Sequence, residues 1–347
     1  MRRQRPTDLF AGVDNLSLDQ REFNPSRDDI EGICRFFCLG KLQHYEKEKG
    51  IAVSHSNFFV FVATAHGQYA FKFYPADAAK TIAIEYTLNK FLTGHNFPTP
   101  VMHASHDGQP FFASNNQLTA CYSYLAGLPA WQHIKKRNTI RKINAAMLSV
   151  KEILSRTKGR IPFLKQEKLT TTINALGKAS RAITSYDQKE TIELILLDTY
   201  RAYQNHQPLF TRQWLHNNST LTNFLIEHET VYTLDLSHIR EDYILADLAA
   251  LIISCLFLDI PRETIKNIVD NYFTLHKIEK KHFLVLNALV KIGLIKEYLK
   301  NVQREEPLNL STCPPDITKI YLSHLQARKK FIISVLKKMT DTSKFII

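Results

Sequence analysis

The residues best equipped for chemistry lie between positions 216 and 235. His216-Asn217-Asn218-Ser219-Thr220-Leu221-Thr222-Asn223 reads H-x-N-x-x-x-x-N, and Asp235 follows Asn223 by twelve residues, between Leu234 and Leu236. A carboxamide oxygen and a carboxylate are hard donors, suited to a Mg²⁺ ion that also sits on phosphate oxygens. Phosphoryl-transfer sites of the kinase type use H-x-D-x-x-x-x-N with a metal-binding Asp at about this distance. There the first Asp accepts a hydroxyl proton, while the Asn and the later Asp hold Mg²⁺. Asn223 and Asp235 are thus the candidate metal pair, and His216 and Asn218 the candidate catalytic residues. Yet Asn218 stands where the proton acceptor belongs, and an amide takes no proton at neutral pH.

Elements able to position these groups are legible on both sides. Phe224-Leu225-Ile226 and Val231-Tyr232-Thr233-Leu234 are short strand-like runs separated by the polar Glu227-His228-Glu229. They predict a hairpin that brings both metal ligands near one point. Upstream, aromatic and β-branched residues at 57–64 and 68–74 flank His66-Gly67, which predicts a second hairpin, with Lys72 in its second strand. Ala78 to Thr93 has helical spacing and carries Glu85. Val101 to Tyr124 suggests further strands around Asp107-Gly108. Leu125 to Pro129 breaks the pattern. Beyond it, helices are expected at 244–258, 262–275, 281–302 and 317–338, and one is expected to begin directly after Asp235. Ser26 is the candidate N-cap of a helix over 28–37. Together these predict an α+β fold with an N-terminal arm at 1–26, a β-rich lobe at 27–127 and a helical lobe at 128–347.

The order of these elements is that of a protein-kinase-like two-lobed fold. In it Lys72 reaches the phosphates of ATP and Glu85 pairs with Lys72. A lysine in an apolar strand needs such a partner if it is buried. At this point the chain resembles the aminoglycoside phosphotransferase and choline kinase superfamily, over roughly residues 28 to 300, and most of all the homoserine kinase of that type. The resemblance rests on Leu39-Gly40-Lys41-Leu42 through Gly50-Ile51, His55 to Val60, Gly67 to Lys72, Pro98-Thr99-Pro100, Asp107-Gly108, and Asp235 to Ala249. It implies ATP and Mg²⁺ as cofactors and a small hydroxylated acceptor as partner. It also implies that Asp247 braces the catalytic-type loop, with His216 packed behind it. The chain departs from the family at Asn217, Asn218 and Ser219-Thr220-Leu221, several adjacent changes in one loop. Two readings follow: a small-molecule kinase with an altered base, or a pseudokinase that binds nucleotide without turnover.

Composition narrows the partners. In 347 residues, hydrophobic content is 44% and charged content 22%, values of a soluble globular protein. No apolar run approaches the roughly 20 residues of a membrane span, and no secretory signal follows the basic start. Five scattered cysteines, with only Cys34 and Cys38 spaced for one helix face, fit a reducing cytoplasm. The net charge of +12 attracts anions such as a nucleotide triphosphate. Its Lys and Arg are spread along predicted helices, which reads as solvated faces rather than a nucleic-acid groove. Glu241 and Asp242 suggest an amine-bearing acceptor. Only Leu236 to Ala246 lies between Asp235 and Asp247, too short for the peptide platform of a protein kinase.

Overall fold

In the computed structural model, which describes residues 25–47, 58–114, 116–156, 168–305 and 315–341, Ser26 opens the first helix, α1 (Arg27–Phe36). Its hydroxyl accepts from the Asp29 amide at 3.2 Å, and the Asp29 carboxylate accepts from the Ser26 amide at 2.8 Å. Two otherwise unpaired donors are thereby satisfied reciprocally. The helix stops at Phe36. Cys34 is buried within it, whereas Cys38 lies beyond its end at φ 56° and is exposed, so the two do not share a helix face. The expected arm up to residue 24, and the His55-Ser56-Asn57 part of the resemblance, lie outside the described residues.

Six strands follow: β1 (Leu42–Lys47), β2 (Phe58–Thr64), β3 (Gly67–Pro75), β4 (Met102–His103), β5 (Phe112–Ser114) and β6 (Gln117–Ser123), with α2 (Ala79–Gly94) between β3 and β4. They form one antiparallel sheet in the order β1-β2-β3-β6-β4, with β5 pairing the same edge of β6 as β4. The Asp107-Gly108 turn therefore separates two strands that both pair with β6, not with each other. Strand alternation decides what each face of β3 does. Tyr69, Phe71 and Phe73 pack with Val60, Val62 and α1 residues. Ala70, Lys72 and Tyr74 point the other way, toward α2. Leu118, Ala120 and Tyr122 of β6 share that second face.

The rest is mainly helical: α3 (Arg137–Ser155), α4 (Leu169–Ala179), α5 (Tyr186–Asn205), α6 (Ala246–Phe257), α7 (Arg262–Leu275), α8 (Phe283–Glu305) and α9 (Pro315–Asp341). These enclose the main core, which includes Met147, Leu248, Ile252, Tyr272 and Leu294. Five short strands interrupt them. β7 (Leu128–Pro129) pairs with β9 (Phe224–Glu227), which forms a hairpin with β10 (Thr230–Thr233), while β8 (Arg212–Leu215) pairs with β11 (Arg240–Tyr243). The helix expected directly after Asp235 is a single 3₁₀ turn, Leu236–His238, and β11 follows it. Asp235 sits at φ 57°, ψ 67°, a left-handed conformation uncommon outside glycine, and caps that turn. After one turn at Leu236–His238 the chain instead pairs with β8, burying Ile239 and Tyr243.

The fold is thus α+β, a small antiparallel-sheet lobe followed by a larger helical lobe. One apolar cluster joins them: Leu88 and Leu92 of α2 pack with Val150 and Leu154 of α3 and with Leu236 and Ile239. It fixes the helix carrying Glu85 against the segment that follows Asp235. No helix among the described residues is long and apolar enough to cross a membrane.

Candidate active site

The loop between β8 and β9 is held from beneath by Asp247 at the start of α6. This buried carboxylate accepts from the His216 amide at 3.0 Å and the Asn217 amide at 2.6 Å. Burial raises its proton affinity against these donors. The amides turn toward it because Asn217 adopts φ 63°, a left-handed conformation that Asn tolerates. The His216 ring donates from Nε2 to the Leu234 carbonyl at 2.8 Å, which fixes the tautomer and ties the loop to the segment entering Asp235. At the far end of the loop the Leu221 amide donates to Ser254 Oγ at 3.0 Å. His216 and Asp247 therefore brace the loop, and both are buried.

The hairpin brings the two candidate metal ligands together. Asn223 precedes β9 and Asp235 follows β10, and the Leu234 amide donates to the Asn223 carbonyl at 2.9 Å. A two-residue turn with positive φ at both His228 and Glu229 sets this register. Asn223 Nδ2 donates to the Asn218 carbonyl at 2.7 Å, leaving Oδ1 as the end that could ligate a cation. Asn218 Nδ2 donates to Asp235 Oδ2 at 2.9 Å; an amide facing a carboxylate must present its nitrogen. Asp235 Oδ1 accepts from Lys72 Nζ at 3.0 Å and from Ser237 Oγ at 2.8 Å, and His238 Nε2 stands 3.6 Å from Oδ2.

Lys72 is 3% exposed and lies 3.9 Å from Glu85, which is equally buried. Burial works to discharge the ammonium, but Glu85 and Asp235 more than reverse this and raise its pKa. One cation cannot neutralise two carboxylates. Asp235, the nearer, is held well below the usual carboxylate range: burial opposes ionisation, and Lys72, His238 and Ser237 overcome it. Glu85 keeps a raised pKa because burial outweighs the more distant Lys72. The line Glu85, Lys72, Asp235, Asn218, Asn223 crosses from one lobe to the other. Its oxygen ends can hold a hard cation, and its ammonium can meet a phosphate.

Residues 47–280 match the family described as "phosphotransferase enzyme family". The chain belongs to this phosphotransferase family. Membership supports an enzyme that transfers a phosphoryl group to a hydroxyl. Among solved structures the phosphotransferase is similar to an amicoumacin kinase complexed with AMP-PNP, Ca²⁺ and Ami (12% identity, 91% of this chain and 96% of that one, TM-score 0.62). It is similar too to an aminoglycoside phosphotransferase from Alicyclobacillus acidocaldarius (12% identity, 93% and 99%, TM-score 0.62). A third is choline kinase from Cryptosporidium parvum Iowa II (15% identity, 90% and 97%, TM-score 0.58). At these identities the likeness establishes the kinase-like fold. No curated protein matches the phosphotransferase.

Four side chains at the site are missed by motif reading. Ser237 and His238 meet Asp235 only because the turn at 236–238 curls back on it. Tyr74 and Tyr122 meet Glu85 from the sheet. Tyr74 carried a signal, since it lies two residues beyond Lys72 and so on the same strand face. Glu241 and Asp242 lie on β11, where Asp242 is paired with Arg240 at 3.3 Å.

Proposed function

We propose that the chain is an ATP-dependent kinase of a small hydroxylated metabolite. The carrying observation is the single hydrogen-bonded line from Lys72 through Asp235 and Asn218 to Asn223, closed behind by Glu85. Lys72 would meet the nucleotide phosphates, and Asn223 and Asp235 are the residues that would hold Mg²⁺. The ion would supply charge neutralisation on the phosphates. One carboxylate and one carboxamide oxygen are the hard donors such an ion takes. Among the described residues no three His, Cys, Asp or Glu side chains gather as a protein-only metal cage.

Asn218 orients the acceptor hydroxyl without deprotonating it. As the new O–P bond forms and the bond from the γ-phosphorus to the leaving ADP oxygen breaks, the hydroxyl proton passes to a phosphate oxygen of the nucleotide. Asn218 Nδ2 is committed to Asp235, so Oδ1 is the end that accepts the hydroxyl's hydrogen bond. Phosphoryl transfer asks mainly for positioning and charge stabilisation. Losing the base costs about 10²–10⁴-fold in rate and leaves nucleotide binding in place. The acceptor is a small molecule rather than a protein, because the interval from Leu236 to Ala246 is consumed by one turn and β11. Homoserine and other amine-bearing alcohols are the first candidates. With Asp242 paired to Arg240, attraction of the amine rests on Glu241. The scattered cysteines favour a cytoplasmic setting.

Asn218 favours one alternative, a pseudokinase that binds Mg²⁺-nucleotide without turnover. A phosphoryl-transfer screen with ATP and Mg²⁺ over homoserine, other amino acids, amino alcohols, choline and aminoglycosides separates the two. Transfer to one class establishes the kinase. Nucleotide binding with no transfer to any of them favours the pseudokinase, and phosphorylation of a generic protein alone refutes the small-acceptor reading.

A further inference from the structure

Lys72 faces two carboxylates, and the more distant, Glu85, is met by a pair of tyrosines. The Tyr74 hydroxyl donates to Glu85 Oε2 at 2.8 Å, and the Tyr122 hydroxyl lies 3.0 Å from that of Tyr74. A carboxylate only accepts, so Tyr74 gives its proton to Glu85 and its oxygen accepts from Tyr122. All three side chains are buried, at 5%, 9% and 2% exposure for Tyr74, Tyr122 and Glu85. The Tyr74 ring also carries the ammonium, with Lys72 Nζ 4.8 Å from its centroid. Tyr74 thus touches both members of the pair: its hydroxyl holds Glu85 and its ring holds Lys72.

We propose that Tyr74, backed by Tyr122, is a positioning residue that aims Lys72 at the nucleotide phosphates by supplying Glu85 with a neutral donor in place of a second cation. Strand alternation brings the parts together, because Lys72 and Tyr74 share one face of β3 and Tyr122 projects from the same face of β6. Glu85 satisfied by the Tyr74 phenol stays 3.9 Å from Nζ, while Lys72 extends 3.0 Å from Asp235. Without the Tyr74 hydroxyl the buried carboxylate loses its 2.8 Å donor, and the ammonium is drawn back toward it from the cleft. The inference rests on the reading of this cleft as a nucleotide site.

Tyr74→Phe keeps the ring under Lys72 and removes only the hydroxyl. Affinity for AMP-PNP with Mg²⁺, measured by titration calorimetry, should fall about tenfold, the size of one lost charge-assisted hydrogen bond. In a Glu85→Ala background the same change should have no further effect, because the group that Tyr74 acts through is gone. Should Tyr74→Phe fail to fold, Tyr122→Phe enters the same cycle with an expected loss of about threefold. Equal losses in both backgrounds mark the tyrosine as merely structural and overturn the proposal. An unchanged affinity in Tyr74→Phe, with the parent chain binding normally, overturns it alone. A parent chain that binds no nucleotide overturns the reading of the cleft and this inference with it.

Discussion

Restoring a carboxylate at position 218 should make the protein metal-dependent in its stability as well as faster in its chemistry. Asn218 Nδ2 stands 2.9 Å from Asp235 Oδ2, and Asn218→Asp replaces that donor with an oxygen. Two unit charges at this separation repel by about 6 kcal/mol at an effective dielectric of 20. Lys72, 3.0 Å from the other oxygen of Asp235, offsets part of this, and the half-buried side chain can turn away. A net loss on the order of 2–4 kcal/mol remains in the absence of metal, once the lost hydrogen bond to a charged group is included. Mg²⁺ should restore it, because binding to the folded state alone stabilises by mass action. The introduced carboxyl has its folded pKa raised by Asp235 above its unfolded value of about 3.9. Its penalty is therefore absent below that value and reaches its full size as pH rises through the folded pKa. Urea unfolding of parent and variant at pH 4.5 and 7.5, with and without Mg²⁺, measures this difference. With Mg²⁺-ATP and a competent acceptor, transfer should rise on the order of 10²-fold. A variant as stable as its parent without metal, indifferent to Mg²⁺ and unchanged in rate would show that Asn218 is not the base position.

Asp235→Ala should abolish the Mg²⁺-dependent thermal stabilisation by ATP; stabilisation that survives the change places the metal elsewhere. His276 is held down to about 4, by burial first and with Lys151 adding, against its hydrogen bond to the Asn144 carbonyl. Its folded value lies below its unfolded one, so the stability it contributes is complete above about 6.5 and falls by about 3 kcal/mol as pH drops through 4. His276→Phe should flatten that window in urea titrations at pH 7 and 4.5; an unaltered acid limb would assign the loss to other groups. A Cβ on Gly127 would stand 2.9 Å from the Ile226 carbonyl oxygen, where β7 meets β9. Gly127→Ala should accordingly cost about 1–3 kcal/mol, read as a lowered melting temperature.

Much of the lobe architecture is local and so visible in the chain itself. The β2–β3 hairpin follows from aromatic and β-branched runs around His66-Gly67, α2 from its helical spacing, and the cap of α1 from Ser26 and Asp29 three residues apart. Asn223 and Asp235 could be paired in advance because a hairpin between them leaves their separation little freedom. What escaped is what depends on partners distant in sequence. A helix start is legible after Asp235, but that it ends after one turn at Leu236–His238 is decided by the pairing of β11 with β8. The sequence offers Lys72 a partner in Glu85 by analogy, but their sharing of one charge with Asp235, 163 residues away, is fixed by the packing of α2 against both α3 and the 236–239 segment. Asn218 announces a missing base from its type alone. That its amide instead clamps Asp235 was decided by tertiary structure, because a hydrogen bond needs direction and distance as well as chemical type.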